Sequence, residues 1–254
     1  MVIGLGLATA ASAAARLMGL LTTGGALAAV AIGTAVFAGG GWGLALTLIG
    51  AFALTGVATR YRRGEKIQPE HRRGRSAAQV LANGLIPASL AVAAAAFKLP
   101  WALAGATGAI AASAADTLAT EIGLLTSRPP RLITTGTVVP RGRSGGITLL
   151  GTICGIGGAA ATALLGRFFL PPPAGPGFLA AAAGGTAAMV ADSLLGATLQ
   201  ARYRCPACGE EGETAQCTCG AVRRLAGGVA WMTNDVVNLI MAGVGALVTA
   251  LLPR

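Results

Sequence analysis

The chain has 254 residues, of which 54% are apolar, 11% charged and 4% aromatic. Soluble domains carry about 25% charge, so the composition excludes a soluble enzyme or binding module and indicates a polytopic α-helical membrane protein. A formal net charge of +10 would point to nucleic acid in a soluble protein, but in a membrane chain it reports orientation and a phosphate partner, so no nucleic acid is expected.

The 39 glycines suit close helix packing in lipid. No alternation over segments of about ten residues indicates a β-barrel. The start is apolar at once, without a basic n-region, so no cleaved signal peptide is expected. A membrane span takes about 20 apolar residues. Apolar stretches cover 2–21, 26–38 and 42–59, the second of them short and ended by Gly39, Gly40 and Gly41. A basic loop, 60–75, holds Arg60, Arg62, Arg63, Lys66, Arg72, Arg73 and Arg75, with the one histidine, His71, to which no chemistry is assigned. The fourth stretch, 76–97, contains Asn83 and Pro87, and Lys98 and Pro100 turn the chain into the fifth, 101–125, which carries Asp116 and Glu121. A polar loop, 126–143, leads to the sixth stretch, 144–165. The turn 167–177, with Pro171, Pro172, Pro173 and Pro176, ends any helix. The seventh stretch, 178–199, carries Asp192; the loop 200–228 carries four cysteines; the eighth stretch, 229–252, carries Asp235. The expected fold is an all-α polytopic transmembrane bundle of about seven to eight spans. It forms one integral membrane domain, 1–254, with a small cysteine-bearing loop at 201–228.

The three long loops carry seven, four and four of the 19 Lys and Arg residues, whereas the intervening turns carry only Lys98 and Arg167. Two spans separate each loop from the next, so all three lie on one side. The positive-inside rule makes that side cytoplasmic, in a multi-pass protein of the cell membrane. Both termini are then external if every stretch crosses, and the short second stretch is the one whose crossing the pattern leaves open.

Four of the nine acidic residues lie in apolar stretches: Asp116, Glu121, Asp192 and Asp235. An ionisable group in hydrocarbon costs at least about 2.5–3.5 kcal/mol and marks a functional site. All four fall near cytoplasmic span ends, at one depth beneath the basic loops. Clustered carboxylates repel unless protonated or bridged by a divalent cation. Mg²⁺ is held by one or two carboxylates plus substrate phosphates. Asn234, Asp235 and Asn238, at i, i+3 and i+4 spacings, are read as one helix face. Thr117 and Glu121 share a face, but Asp116 and Glu121 do not, which leaves one for the metal and the other for a base or supporting role. The plainer reading is a set of interhelical hydrogen bonds or ion pairs to arginine.

Arg141, Gly142, Arg143, Ser144, Gly145 and Gly146 lead into the sixth stretch. Glycines let a backbone approach a ligand, a helix N-terminus favours an anion, and arginine grips phosphate bidentately. The plainer reading is a flexible basic loop at the interface. Arg72, Arg73 and Arg75, running into Gln79 and Asn83, suit a nucleotide or lipid phosphate, or serve as topology determinants. Cys205, Cys208, Cys217 and Cys219 form C-x2-C-x8-C-x-C. On a reducing side, four thiolates at this spacing suit structural Zn²⁺ rather than disulfides. Cys154, Gly151, Gly155 and Gly158 read as helix packing. A single loop histidine excludes Ser-His-Asp and Cys-His sets.

The strings ADTLATEIG (115–123), PRLITTGTVVPRGRSGGITLLGT (130–152), DSLLGATLQ (192–200) and WMTNDVVNL (231–239), with the cysteine-bearing loop between the last two, run through the chain in that order. In sequence and order they resemble the phytyl-phosphate kinase family of integral membrane proteins. That family includes the plant vitamin E pathway enzyme, transmembrane protein nineteen of animals and bacterial and archaeal members long catalogued as a domain of unknown function. The resemblance implies phosphoryl transfer from a nucleoside triphosphate, CTP, to an isoprenyl, phytyl-like monophosphate lipid, giving the diphosphate. It implies catalytic roles for Asp116, Glu121 and Arg143, and substrate contacts from Arg141, Ser144, Gly145 and Gly146, to which the reading of the basic loop adds Arg75 and Asn83 as substrate-binding candidates. It implies Mg²⁺ on Asp116, Asp192, Asn234, Asp235 and Asn238. Ser76 departs from the pattern, where an asparagine is expected. Two other readings keep buried carboxylates: an Mg²⁺-dependent intramembrane prenyltransferase, which needs a diphosphate substrate and no nucleotide, and a transporter, whose acids lie at mid-membrane.

Overall fold

The computed structural model describes residues 2–66, 74–170 and 175–253. His71, Arg72, Arg73, Pro171, Pro172 and Pro173 lie outside them. Hydrocarbon offers no water to bond a bare N–H or C=O, so each apolar stretch closes its own hydrogen bonds as a helix. Among the described residues these are α1 (Val2–Leu17), α2 (Thr23–Arg60), α3 (Ala77–Phe97), α4 (Pro100–Gly123), α5 (Leu149–Phe169), α6 (Phe178–Thr198) and α7 (Asn234–Leu251). Six of them are long and apolar enough to cross a membrane, and α1, at 16 residues, is shorter.

The expected second and third spans form one helical run, α2, of 38 residues. Straight, it would be about 57 Å long, far beyond a hydrocarbon core of about 30 Å. It reverses instead at Gly41, whose φ of 59° and ψ of −157° are open to glycine and strained for other residues. The reversal is visible in its neighbours. Gly25 sits against the Arg75 carbonyl, and Gly56 lies against Leu20. Leu20 and Arg75 are themselves joined, Arg75 N–H donating to the Leu20 carbonyl at 2.9 Å. The two halves of α2 therefore start and finish at the same end of the bundle.

The chain's alternation sends the three basic loops to that end, together with the turn after α1. The helices that begin there carry side-chain caps: Thr22 accepts from Gly25 N–H at 3.0 Å, Thr148 from Gly151 N–H at 3.0 Å and Thr233 from Val236 N–H at 3.4 Å. Ser76 makes a full capping box with Gln79. α4 and α6, which begin at the opposite end, have no side-chain cap. Among the described residues, two small sheets decorate the loop end. β1 (Arg131–Leu132) pairs antiparallel with β2 (Gly146–Ile147), and β3 (Arg202–Arg204) lies between β4 (Glu211–Gly212) and β5 (Arg224–Gly227).

α4 is the central post, touching α2, α3, α5, α6 and α7. Small residues make this possible, because helices in lipid associate by close packing. A Cβ at Gly108 would strike Thr249 and the Gly245 carbonyl of α7. Gly151, Gly155 and Gly158 of α5 meet the α4 carbonyls of Ala119, Ala115 and Ala114, the packing role expected of them. This post carries Asp116 and Glu121 down to the loop end.

Candidate functional site

A cavity of about 350 Å³ opens at the loop end, between α4, α6, α7 and the three loops. Asp116 of α4 and Asp192 of α6 both line it, their carboxyl groups within hydrogen-bonding reach of one another. Asn234 and Asn238 of α7 line it one helical turn apart. The basic 141–146 loop shares this cavity, and all six of its residues line it. Arg75 reaches in from the mouth of α3, donating to Thr117 Oγ1 at 3.3 Å and lying 5.6 Å over the Phe52 ring. Asn83 also lines the cavity, with its amide donating to the Gln79 carbonyl at 2.9 Å.

Not every expected residue joins in the expected way. Asp235 does not line the cavity; it stands in the first turn of α7, half-buried. The reason is helical geometry: Asn234 and Asn238 are about 40° apart around the axis, while Asp235 is about 100° from Asn234. Glu121 lines the cavity but is already paired. Lys66 Nζ donates to its Oε2 at 2.7 Å and to the Ala58 carbonyl at 2.6 Å, and both side chains are buried. An acid held by a buried ammonium is a fastening between α2 and α4 rather than a free base. The 141–146 loop does not run straight into a helix, since α5 begins at Leu149, capped by Thr148. Gly145, at φ 78°, turns the loop tightly enough for its backbone to rest on Gly196 and Ala197 of α6. Here glycine serves close packing of the loop as well as the lining of the cavity. Arg143 is ion-paired with Glu211 at 3.0 Å, and Arg141 donates to the Ser127 carbonyl at 3.1 Å.

The structure adds residues that the sequence pattern did not single out. Glu213, from the cysteine-bearing loop, lines the cavity and accepts from Ser144 Oγ at 2.8 Å and from Gln200 Nε2 at 2.9 Å. Gln200 is buried and also reaches Asn234 Oδ1 at 3.4 Å. Glu213 sat among loop acids, where nothing in its surroundings marks it out. Lys66 was one cation in a run of seven.

The donor set fits a hard divalent cation. Asp116 and Asp192 offer carboxylate oxygens side by side, and Asp192 Oδ1 is buried with no hydrogen-bond partner among the described residues. Carboxylates, amide oxygens and room for phosphate are what Mg²⁺ takes. Outside the cavity, the thiols of Cys205, Cys208, Cys217 and Cys219 lie within 4.8 Å of one another. The backbone N–H groups of Cys208 and Ala207 lower the Cys205 thiol to about 6. Thr218 and Cys217 donate to Glu210, holding its carboxyl below the usual range, with Arg223 beside it.

Comparison with known proteins agrees with a membrane bundle. The family model described as integral membrane protein DUF92 matches residues 6–246. An uncharacterized membrane protein of Methanocaldococcus jannaschii, MJ0933, is 44% identical over 126 residues, covering 50% of this chain and 52% of that protein. An uncharacterized membrane protein of Synechocystis, sll0875, is 29% identical over 236 residues, covering 90% of this chain and 81% of that protein. Protein VTE6, chloroplastic, of Arabidopsis thaliana is 27% identical over 247 residues, covering 92% of this chain and 66% of that protein. The first of these matches therefore spans about half of the relative's length. No solved structure matches.

Proposed function

Since the chain belongs to the DUF92 family of integral membrane proteins, we propose that its loop-end cavity is the active site of a membrane-embedded phosphotransferase. It moves the γ-phosphoryl group of a nucleoside triphosphate, CTP, onto an isoprenyl monophosphate. An oxygen of the acceptor phosphate bonds to the γ-phosphorus, the bond from that phosphorus to the β-bridging oxygen breaks, and CDP leaves with the electron pair. The observation that carries this reading is the juxtaposition, in one cavity, of Asp116 and Asp192 with Arg75 and the 141–146 loop. The resemblance of the same strings to phytyl-phosphate kinases supports it, as does the plant relative at 27% identity.

Phosphoryl transfer asks a protein for positioning and charge neutralisation more than for covalent chemistry. Asp116 and Asp192, with Asn234 and Asn238, would hold Mg²⁺, which neutralises nucleotide phosphate charge when bound. Arg75, Arg141 and Arg143 offer guanidinium groups to phosphate oxygens, with donors in fixed planar geometry. Ser144 Oγ, now spent on Glu213, is a further donor at the same wall. The acceptor is already a phosphate anion, so no strong base is needed, consistent with Glu121 being bound to Lys66. The prenyl tail lies between helices in lipid while its phosphate enters at the loop end, which by the positive-inside rule is cytoplasmic.

The test is incubation of the purified protein and Mg²⁺ with each labelled nucleoside triphosphate and a panel of prenyl monophosphates. A prenyl diphosphate carrying the label is expected, fastest with CTP. No labelled diphosphate under any pairing overturns the reading.

A further inference from the structure

Two turns of the 200–228 loop are built alike. Cys205 and Cys208 flank one, closed by Gly209 N–H donating to the Cys205 carbonyl at 3.0 Å. Cys217 and Cys219 flank the other, closed by Gly220 N–H donating to the Cys217 carbonyl at 3.0 Å. Gly209 and Gly220 have φ of 75° and 87°, the left-handed conformation that folds each turn back on its cysteines. The turns face each other, with Sγ–Sγ separations of 3.6 Å for Cys205–Cys219 and 3.5 Å for Cys208–Cys217. These are not bonded pairs, since a disulfide is about 2.05 Å long. They approach the edge of a tetrahedron about a zinc ion, roughly 3.8 Å for Zn–S bonds of about 2.3 Å.

What this unit holds is as telling as what it could bind. The strand β4 leaves the first cysteine turn with Glu211, and Glu213 follows just beyond its end, so that both meet the 141–146 loop. Glu211 pairs with Arg143 at 3.0 Å, and Glu213 accepts from Ser144 at 2.8 Å. Arg223, buried at 4% exposure, ties the unit together by pairing with Glu210 at 3.1 Å and donating to the Gln216 carbonyl at 2.7 Å. Yet β4 has two residues and β3 has three. Strands this short are at or below the low end of the usual range and give a small sheet little hold of its own.

We propose that Cys205, Cys208, Cys217 and Cys219 bind one Zn²⁺ as a tetrathiolate, and that this ion holds Glu211 and Glu213 against the 141–146 loop, so that a structural metal outside the cavity sets the shape of its basic wall. This role of the metal does not depend on the reaction proposed above, and its readouts do not need turnover. The experiment uses the full chain in detergent. Metal analysis is expected to find one zinc per chain. Cobalt exchanged for it is expected to show the absorption of a tetrahedral tetrathiolate. Stripping zinc with a chelator is expected to make the amides of 143–147 exchange with deuterium about tenfold faster while those of α4 stay protected, and returning zinc restores them. Glu213→Gln with zinc still bound is expected to loosen the same amides. Zinc below a tenth of an equivalent, with no cobalt spectrum, overturns the metal site. Bound zinc whose removal leaves 143–147 unchanged overturns its hold on the cavity. Stripping the wild-type chain decides both points without any cysteine variant that could fail to fold.

Discussion

α3 and α4 are neighbours of similar length, and the chain uses them in opposite ways. Of the apolar window of α4, 67% is buried, against 28% for α3. The more hydrophobic of the two is α3, and it is the one that faces lipid, with Leu85 46% exposed. α4, richer in glycine and threonine, takes the centre. In water the order would be the reverse. In lipid, apolar surface gains nothing by hiding, and small residues that admit close contact go inside. A helix packed on all sides is also the one that can carry Asp116 and Glu121, because its neighbours supply their partners.

The sharpest way to break this contrast is at the loop end of α4. Asp116→Asn is expected to cut diphosphate formation at least ~10³-fold, roughly 4 kcal/mol of transition-state stabilisation, with an unchanged melting temperature. Lys66→Met leaves Glu121 buried without its cation and is expected to cost about 3–5 kcal/mol in unfolding measurements, most of which Lys66→Met/Glu121→Gln recovers. Further up α4, Gly108→Val pushes a side chain into Thr249 and Gly245 and is expected to cost about 1–3 kcal/mol. On α3, Leu85→Ala is expected to stay within about 0.5 kcal/mol in the same assay, since its neighbour is lipid.

Much of this layout was legible before folding. Apolar stretches and loop charge placed the three basic loops at one end and set Asp116, Asp192 and Asn238 near it, because span length and the cost of buried charge act on sequence directly. The reversal of α2 at Gly41 was legible as a glycine run, although hydropathy alone could not say that helical geometry would hold up to a single residue. Which face of α7 turns inward was not legible, and Asp235 paid for it by falling outside the cavity. That choice depends on how α7 meets α4 and α6, a matter of tertiary packing. Lys66 and Glu213 were hidden for a related reason: their partners, Glu121 and Ser144, lie 55 and 69 residues away.

The claim on which the rest depends is that Asp116 and Asp192, far apart in the chain, act on one ligand as one unit. A double-mutant cycle on kcat/KM for diphosphate formation, with Asp116→Asn, Asp192→Asn and both together, measures this directly. If they act as one unit, the double variant is no slower than the slower single variant, a coupling of about 4 kcal/mol if each alone loses ~10³-fold. Losses that multiply, to about 10⁶-fold in the double variant, would contradict it.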